Sequence, residues 1–552
     1  MSRGGEDVGG IDRGAVAFAP GESVLAAGVR AYAQALAAYR TGAMDAAAFR
    51  ALRIQAGVHL ERSPSSRYMV RVKTPYGLAD AGQLRALAAA SRHGLPRLHL
   101  TTRQAVELHD VPQEHTVSLL AELAEAGLTT WNAGGNSVRN IVACPLMGTC
   151  PLQRFDAIAS ARALARDFLG YAPAEHLPRK LKVALSGCER DCAAARLADV
   201  GLVAEVRDGQ AGFRVFAGGG IGATPAIAVP LAAWVPAAAV TPLVRAVADV
   251  FGRLGNRQNR HRGRLKWLVA EMGEERFRSE VARALEQVGA GVVWTGDAGP
   301  KAPEPPEPDA PTTVPGVDAG WARSRLRAEV GGTWAVVLPW PGGSVTPDAA
   351  RTVADWSEAY GAGVVTVTTA QELVIRGVRP SRLGDLYAAI GALMPEQLLA
   401  TAQVVSCPGA PYCNLAVTRS GDLAQRIADA LRAEARRTGL ADPQGLLVRV
   451  SGCPHSCSHA RFAPVGLIGG AVRLGRRSIP AYTLLVGGAE DREQPVAATA
   501  TVRVPARRVP EAIVRIVRAY RAERDPDETF AAWTARRLVR AHSRRKEHER
   551  HE

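Results

Sequence analysis

The eight cysteines of this 552-residue chain fall into four pairs, and no cysteine is left over. Two spacings alternate: C-x5-C in SCPGAPYC and ACPLMGTC, and C-x3-C in SGCPHSC and LSGCERDC. Four thiolates form a ligand set for soft metals, either a zinc ion or an iron–sulfur cluster. Structural zinc sites usually use closer C-x2-C spacings, so the pattern favours a [4Fe–4S] cluster over zinc or plain buried cysteines.

Four cations in the first half of the chain have no counterpart in the second half. They are Arg103 in TTRQ, Arg139 in NSVRN, and Lys180 and Lys182 in LPRKLK; the equivalent positions are Ala370, Ala402, Gly445 and Leu447. Only six of the 68 basic residues are lysines. Finding two of them on one face of a strand therefore favours a functional role, as compact ammonium groups that donate protons, over the interpretation that both are solvated surface lysines. We expect these cations to face the thiols of the other half.

The elements that position these residues are repeated along the chain. The C-x5-C motif recurs 263 positions later, from Cys144 to Cys407, and the C-x3-C motif 265 positions later, from Cys188 to Cys453. An apolar strand follows each C-x3-C, as ADVGLVA and APVGLIG. Upstream, HLTTRQAVELHDV matches TVTTAQELVIRGV as half-buried strands, and each precedes a helix-like stretch. The repeats predict an internal duplication, each half being a small β-α unit followed by a larger α/β unit.

Composition and charge limit the function classes. The chain is 47% hydrophobic and 22% charged, is long enough for several domains, and opens without a signal-peptide pattern, which favours a cytoplasmic protein. Four prolines interrupt the uncharged stretch 215–244, so we expect a buried loop and a short helix there and no membrane span. The net charge of +15 suits an anionic substrate, a polyanionic cofactor or an acidic partner, although the bias toward arginine accounts for part of it. No basic patch with interleaved aromatic residues indicates nucleic acid.

Several motifs together resemble those of the siroheme-containing sulfite and nitrite reductase family. They are LTTRQ, VRNIVACP, LPRKLK, AGGGIG, GNRQNRHRGRLK and the C-x5-C…GCPxSC set, within a resemblance from about residue 68 to about residue 536. The resemblance implies an α+β fold of two pseudo-symmetric halves, each a ferredoxin-like α/β half-domain plus a larger α/β siroheme/cluster domain. The expected first half consists of an N-terminal extension (1–62), half-domain 1 (63–130) and reductase domain 1 (131–296). A Pro-rich linker (297–316) leads to half-domain 2 (317–395), reductase domain 2 (396–540) and a basic tail (541–552).

The resemblance also implies roles for individual residues. Cys407, Cys413, Cys453 and Cys457 would bind a [4Fe–4S] cluster, with Cys457 also axial to the siroheme iron. Arg103, Arg139, Lys180 and Lys182 would form the catalytic wall, and Arg260 and Arg264 would meet siroheme carboxylates. Many family members lack the first-half cysteines, whereas this chain keeps Cys144, Cys150, Cys188 and Cys192. These four leave open a second [4Fe–4S] cluster, an ancestral remnant or a structural site.

The function implied is the six-electron reduction of sulfite to sulfide, with electrons from a ferredoxin or a similar acidic donor. The arginines would hold the oxyanion and the lysines would deliver protons. No flavin or NAD(P)H module is evident, so a separate carrier is expected. Lys182 favours sulfite, because nitrite enzymes of the ferredoxin type often have a neutral residue there. The alternatives are reduction of nitrite to ammonia, precorrin-3B synthase in the corrin pathway, and an electron-transfer protein with two clusters.

Overall fold

The structure is a computed structural model that describes residues 23–538, with gaps at 63–65, 286–290, 297–298, 300–301, 304, 306–313, 400, 411, 442, 444, 491–494 and 527. The expected basic tail, most of the expected linker and the first 22 residues of the expected N-terminal extension lie outside the described residues. Within them, no helix is both long enough and apolar enough to cross a bilayer.

The first half begins with two helices and then alternates strands and helices. Its helices are α1 (Ser23–Arg40), α2 (Ala46–Gln55), α3 (Ala81–Ala90), α4 (Thr116–Glu125), α5 (Ile158–Gly170), α6 (Val240–Leu254), α7 (Leu265–Met272) and α8 (Glu274–Leu285). Its strands are β1 (Val58–Leu60), β2 (Tyr68–Lys73), β3 (Leu78–Asp80), β4 (Leu98–Leu100), β5 (Ala105–Val111), β6 (Val142–Ala143), β7 (Val183–Ser186), β8 (Val200–Arg207), β9 (Gln210–Ala217) and β10 (Val229–Pro236).

The second half repeats this order of elements. Its helices are α9 (Ala319–Arg325), α10 (Pro347–Tyr360), α11 (Leu383–Leu393), α12 (Ser420–Thr438) and α13 (Val509–Glu523), and residues 530–538 are also helical. Its strands are β11 (Leu326–Ala328), β12 (Trp334–Pro339), β13 (Ser344–Val345), β14 (Val364–Val367), β15 (Glu372–Val378), β16 (Gln403–Ser406), β17 (Leu447–Ser451), β18 (Val465–Leu474), β19 (Arg477–Val486) and β20 (Thr499–Pro505).

The two small units exchange one strand each. Their antiparallel sheets have the orders β1-β2-β5-β4-β13 and β11-β12-β15-β14-β3, so β13 completes the first-half sheet and β3 completes the second-half sheet. Gly77 and Gly343 precede the exchanged strands with φ of +82° and +70°, a region that favours glycine. One hydrophobic core runs through both units, with Leu84 and Leu108 from one half and Val353 and Ile375 from the other. The two halves therefore share a single folded body here.

The helices after the exchanged strands begin at polar caps. The Asp80 side chain accepts a hydrogen bond from the Gln83 backbone N–H at the start of α3, and the Thr346 hydroxyl accepts one from the Ala349 N–H at the start of α10. Such caps satisfy backbone donors that a first helical turn leaves free. Each exchanged strand is thus followed directly by a helix; α3 and α10 pack against each other, and α10 also packs on β14 and β15.

The two larger units place their cysteines at equivalent strand ends. Their sheets have the orders β10-β9-β8-β7-β6 and β16-β17-β18-β19-β20. The β6–β7–β8 and β16–β17–β18 pairings are parallel, and the remaining pairings are antiparallel. Because the carboxyl ends of parallel neighbours meet at one edge of a sheet, the two cysteine motifs of each half lie side by side. In each half a C-x5-C follows the first of these strands and a C-x3-C follows the second.

The uncharged stretch 215–244 does not fold as predicted. We expected a loop and a short helix, but the stretch contains strand β10, and the 15-residue helix α6 begins at Val240. Pro230 and Pro236 fit in β10 because it lies at the edge of its sheet, and its register with β9 is irregular. Proline lacks the N–H that an interior strand requires, and edge strands tolerate that loss.

Candidate active site

One cavity of about 2020 Å³ brings together residues from both halves of the chain. Its lining includes the four second-half cysteines, the four predicted catalytic cations, and both arginines predicted to meet carboxylates: Cys407, Cys413, Cys453, Cys457, Arg103, Arg139, Lys180, Lys182, Arg260 and Arg264. The Thr102 hydroxyl, in the turn between β4 and β5, donates a hydrogen bond of 3.0 Å to the Cys457 carbonyl. The first-half turn that carries Arg103 therefore lies against the second-half C-x3-C motif.

The second-half thiols have the character of cluster ligands. Cys457 is exposed to the cavity, and the Gly452 N–H donates to Cys407 Sγ at 3.2 Å. Burial and the neighbouring Cys457 raise the pKa of the Cys407 thiol to about 12, and burial raises the pKa of Cys413 and Cys453. Bound metal would deprotonate such thiols outright.

Arg103 and Arg139 are held by main-chain carbonyls. Arg103 Nη2 donates to the Asn140 carbonyl at 2.6 Å, and Arg139 donates to the carbonyls of Ala133 and Gly135 at 2.6 and 2.7 Å. The Nε atoms of both side chains are buried and have no acceptor among the described residues. Burial lowers the pKa of Arg103 to about 10. The charge of Asp199 partly offsets this effect, and neighbouring arginines add to it. Buried cationic donors without acceptors point to an anion that is bound here.

Lys180 and Lys182 lie on an extended segment just before β7. Leu181 between them pairs with Val138, so both lysine side chains lie on the same side of the segment. Burial and then Arg264 and Arg139 lower the pKa of Lys180 to about 7. Burial and then Arg103 and Lys180 lower the pKa of Lys182 well below its ordinary value. Neither ammonium has a hydrogen-bond acceptor or ion-pair partner within the described part of the chain.

Arg264 and Arg260 have different surroundings. Asp199, which is fully buried, accepts two hydrogen bonds of 2.8 Å from Arg264 Nη2 and one of 2.9 Å from the Lys182 backbone N–H. The carboxylate thereby fixes both the arginine and the lysine segment. Arg260 is exposed at the edge of the cavity. Arg264 is thus positioned by an internal ion pair, whereas Arg260 reaches the cavity from the exposed surface.

Sequence reasoning missed much of the positive lining. Fourteen Lys and Arg side chains line the cavity against three Glu side chains; the basic residues beyond the six predicted are Arg50, Arg53, Arg71, Lys73, Arg179, Arg257, Arg262 and Lys266. Lys73, Lys180, Lys182 and Lys266 are all of the described lysines, in a chain of six. The scarcity of lysine that singled out Lys180 and Lys182 would also have found Lys73 and Lys266. A cavity with this balance of charge suits a polyanion.

A buried network lies on the ferredoxin-like sheet that faces the cavity. Burial alone would lower the pKa of His109, but hydrogen bonds to Glu107 and Glu61 raise it to about 9. Arg71 Nη2 lies 2.7 Å from Glu107 Oε1. The His109 ring lies 4.6 Å from the Tyr412 ring, inside the second-half C-x5-C loop. The network connects the cavity wall to that cysteine loop.

The first-half cysteines form a separate group. Cys144, Cys150, Cys188 and Cys192 line a second cavity of about 200 Å³, together with Arg327, Val337 and Glu372 of the second half. The structure therefore keeps the two cysteine sets apart, each facing the ferredoxin-like unit of the other half.

Models of two protein domains match most of the chain. The nitrite and sulphite reductase 4Fe-4S domain matches residues 134–288 and 400–537, and the nitrite/sulfite reductase ferredoxin-like half domain matches residues 59–126 and 326–393. The chain belongs to the nitrite and sulfite reductase family. It is an oxidoreductase, and the predicted α+β fold with two ferredoxin-like half-domains is confirmed.

Individual relatives agree with this family. The chain is 32% identical over 432 residues to a ferredoxin–nitrite reductase of Synechococcus elongatus, covering 76% of this chain and 80% of the relative. It is 27% identical over 504 residues to an assimilatory ferredoxin-dependent nitrite reductase of Haloferax mediterranei, covering 86% and 83%. The solved structure of the Mycobacterium tuberculosis NirA protein has the same fold, with a TM-score of 0.77, 23% identity, and coverage of 92% of this chain and 94% of that one.

The cofactors of this family member are siroheme and a [4Fe–4S] cluster. The residues present fit both groups. Siroheme carries eight carboxylates, and the cavity offers fourteen basic side chains and unpartnered buried guanidinium nitrogens. Four thiols at the ends of adjacent strands fit a cluster that takes one thiolate per iron.

Proposed function

We propose that this enzyme reduces nitrite to ammonia in a six-electron reaction, with ferredoxin as the electron donor. The observation that supports this proposal best is the single cavity that joins four second-half thiols to a wall of first-half cations. The relatives described above are named nitrite reductases, which favours nitrite over the sulfite expected from the sequence. Precorrin-3B synthase and a pure electron-transfer protein find no counterpart among those relatives.

We assign cofactor roles to the residues of the cavity. Cys407, Cys413, Cys453 and Cys457 would hold the [4Fe–4S] cluster, and Cys457, which is the exposed one of the four, would also help to hold the siroheme. Arg260 and Arg264, with Lys73 and Lys266 among others, would meet the siroheme carboxylates. When bound, the two cofactors supply the electron transfer that side chains alone do not provide.

Arg103 and Arg139 would bind the substrate anion. Their guanidinium groups are fixed by four carbonyl contacts, and their buried Nε–H groups still require acceptors. Charge-assisted hydrogen bonds from prepositioned donors are stronger than neutral ones. The mutual repulsion of these cations is relieved when an anion lies between them, which favours binding of nitrite.

Lys180 and Lys182 would supply protons. Reduction of nitrite to ammonium consumes eight protons as both oxygens leave as water, so the site needs acids that work near neutral pH. A pKa of about 7 for Lys180 meets this requirement, since an efficient general acid has a pKa close to the working pH. Asp199 holds the backbone of Lys182 and fixes the direction of this pair.

The proposal is tested by steady-state reduction of nitrite and of sulfite with reduced ferredoxin, on purified protein whose siroheme absorbance is confirmed first. We expect nitrite to be reduced with the higher kcat/KM. Arg103→Gln should lower kcat/KM for nitrite by about 10²–10³, by analogy with loss of an oxyanion donor. Arg351→Gln, on the exposed surface of α10, is the control and should leave the rate unchanged. Loss of activity in both variants, or no nitrite turnover by siroheme-loaded protein, would reject the proposal.

Sulfite reduction to sulfide is the second candidate, because Lys182 is a half-buried ammonium that lines the cavity without a partner within the described residues. Sulfite carries more negative charge than nitrite and gains more from a second lysine. Lys182→Gln should therefore lower kcat/KM for sulfite more than for nitrite. An equal effect on kcat/KM for the two substrates would show that Lys182 does not favour sulfite over nitrite.

The ferredoxin assignment follows the names of the relatives and the net charge of +15. An acidic carrier would be steered by that charge, so kcat/KM for ferredoxin should fall as salt rises, while turnover with a neutral or cationic dye should not. A rate with ferredoxin that does not change with salt would argue against electrostatic docking.

A further inference from the structure

The first-half cysteines have the same local geometry as the second-half set. The Gly187 N–H donates to Cys144 Sγ at 3.3 Å, as the Gly452 N–H does to Cys407 Sγ at 3.2 Å. In both halves the glycine directly precedes the C-x3-C motif. In both halves the C-x5-C and the C-x3-C motif follow two adjacent parallel strands. All four first-half thiols are free of disulfide bonds.

The first-half cysteine loop is also held in place by the other half. Arg376, only 2% exposed, donates to the Pro145 carbonyl at 3.1 Å and to the Thr149 hydroxyl, and both residues lie between Cys144 and Cys150. Glu329, fully buried, accepts from Arg376 Nε and from the Thr149 hydroxyl, each at 2.6 Å. A buried ion pair needs such full hydrogen bonding, and here half of the bonds beyond the pair itself go to the cysteine loop.

This clamp has a counterpart at the second-half loop. The Val330 N–H donates to the Thr149 carbonyl at 2.8 Å, and the Arg62 N–H donates to the Tyr412 carbonyl at 3.2 Å. Glu61 and His109 pair beneath Tyr412 as Glu329 and Arg376 pair beneath Thr149. The first-half C-x5-C loop is thus held by the same kinds of contact as the second-half loop, which we assign to the siroheme-linked cluster. A degenerate remnant would not require these contacts.

The space beside the first-half cysteines is too small and too poor in cations for a macrocycle that carries carboxylates, since its charged lining residues are Arg327 and Glu372. It measures about 200 Å³, one tenth of the main cavity, and Val337, Val374 and Glu372 line it. Leu146 packs against Val337 and Val374 there. The positions that correspond to the four catalytic cations are Ala370, Ala402, Gly445 and Leu447. Since a buried water occupies roughly 30 Å³, the cavity has room for a compact inorganic group only.

We propose that Cys144, Cys150, Cys188 and Cys192 bind a second [4Fe–4S] cluster without a siroheme. The four thiols line one small cavity at the ends of adjacent parallel strands, as the second-half thiols do in the main cavity. The second cluster is independent of whether nitrite or sulfite is the substrate. It also does not depend on the cysteines that we assign to the siroheme-linked cluster.

Labile sulfide and iron counts on full-length protein purified without oxygen test this proposal. Each four-iron cluster contributes about four irons and four sulfides, so we expect about eight sulfides and about nine irons per chain when siroheme is full. Siroheme is measured separately from its extracted absorbance. About four sulfides in fully siroheme-loaded protein would overturn the proposal, and one zinc per chain bound to the first-half thiols would do the same.

Two matched variants locate the clusters. Cys144→Ser/Cys188→Ser should retain siroheme and lose about four irons and four sulfides, and Cys407→Ser/Cys453→Ser should lose the siroheme-linked cluster but retain about four irons and four sulfides. In the second variant the remaining cluster should give the EPR signal of a reduced [4Fe–4S] centre. A second variant that is soluble but free of iron would overturn the proposal. If the first variant does not fold, the wild-type sulfide count still decides the question. Wild-type protein with eight sulfides but no nitrite or sulfite turnover would reject the proposed function alone.

Discussion

Removal of Arg376 should loosen the first-half cysteine loop and leave the second-half loop intact. Arg376 Nε and Glu329 Oε1 lie 2.6 Å apart, and the two side chains are 2% and 0% exposed. At an effective dielectric constant of about 20 this pair attracts by about 6 kcal/mol before desolvation. Breaking a buried pair from one side costs about 3–5 kcal/mol, because the remaining charge is stranded. Arg376→Met should therefore destabilise the loop by about that amount.

Hydrogen exchange of peptides that cover the two cysteine loops measures this effect locally. A loss of 3–5 kcal/mol corresponds to exchange about a hundred to several thousand times faster in the peptide 144–150. The matched variant His109→Met should instead accelerate exchange around residues 412–416. Adding Glu329→Gln to Arg376→Met should recover part of the protection, since it removes the stranded charge. Acceleration below tenfold, or equal acceleration at both loops, would refute the reasoning.

Two further predictions concern stability. The raised pKa of His109, about 9 against an ordinary 6.5, means that its stabilising pairs with Glu107 and Glu61 act fully below pH 6.5 and are lost as pH rises through 9. The free energy of unfolding of wild type should exceed that of His109→Gln by up to about 3 kcal/mol below pH 6.5, and this difference should disappear as pH rises through 9. Tm values measured against pH should therefore converge, and Tm profiles of the two proteins that run parallel would contradict the prediction. Gly77→Ala should cost about 2–4 kcal/mol, because φ is +82° and an added Cβ would collide with a carbonyl of the other half. Gly42→Ala, also at positive φ but in open space, is the control and should cost only about 1 kcal/mol; equal Tm losses would rule out the collision.

The repeated architecture could be predicted from the sequence because its signals are local. The motif spacings and the apolar strands after each C-x3-C are visible in a single sequence. Helices α4 and α11 form within the two helix-like stretches that the sequence predicts. The exchange of β3 and β13 could not be predicted, because these strands contain only three and two residues. Strands that short carry no periodic pattern, and their pairing depends on tertiary structure.

The candidate site was predictable where residue type was informative. The structure brings Arg103, Arg139, Lys180 and Lys182 to one cavity, but their catalytic roles stay predictions. Asp199 was missed because a single aspartate before a strand has no distinctive pattern, although it positions Arg264. The Glu61–His109 pair was missed because its members are far apart in the sequence and meet only when β1 and β5 enter one sheet.

The exchanged strands have a consequence for the origin and the assembly of the molecule. Since each half completes its ferredoxin-like sheet with a strand from the other, neither half forms that five-stranded sheet alone. Two copies of one ancestral half could satisfy the same pairings as a symmetric homodimer, and gene fusion would then have joined them. Today's covalent connection raises the effective concentration of one half for the other. The halves should therefore complement each other when they are produced as two separate polypeptides.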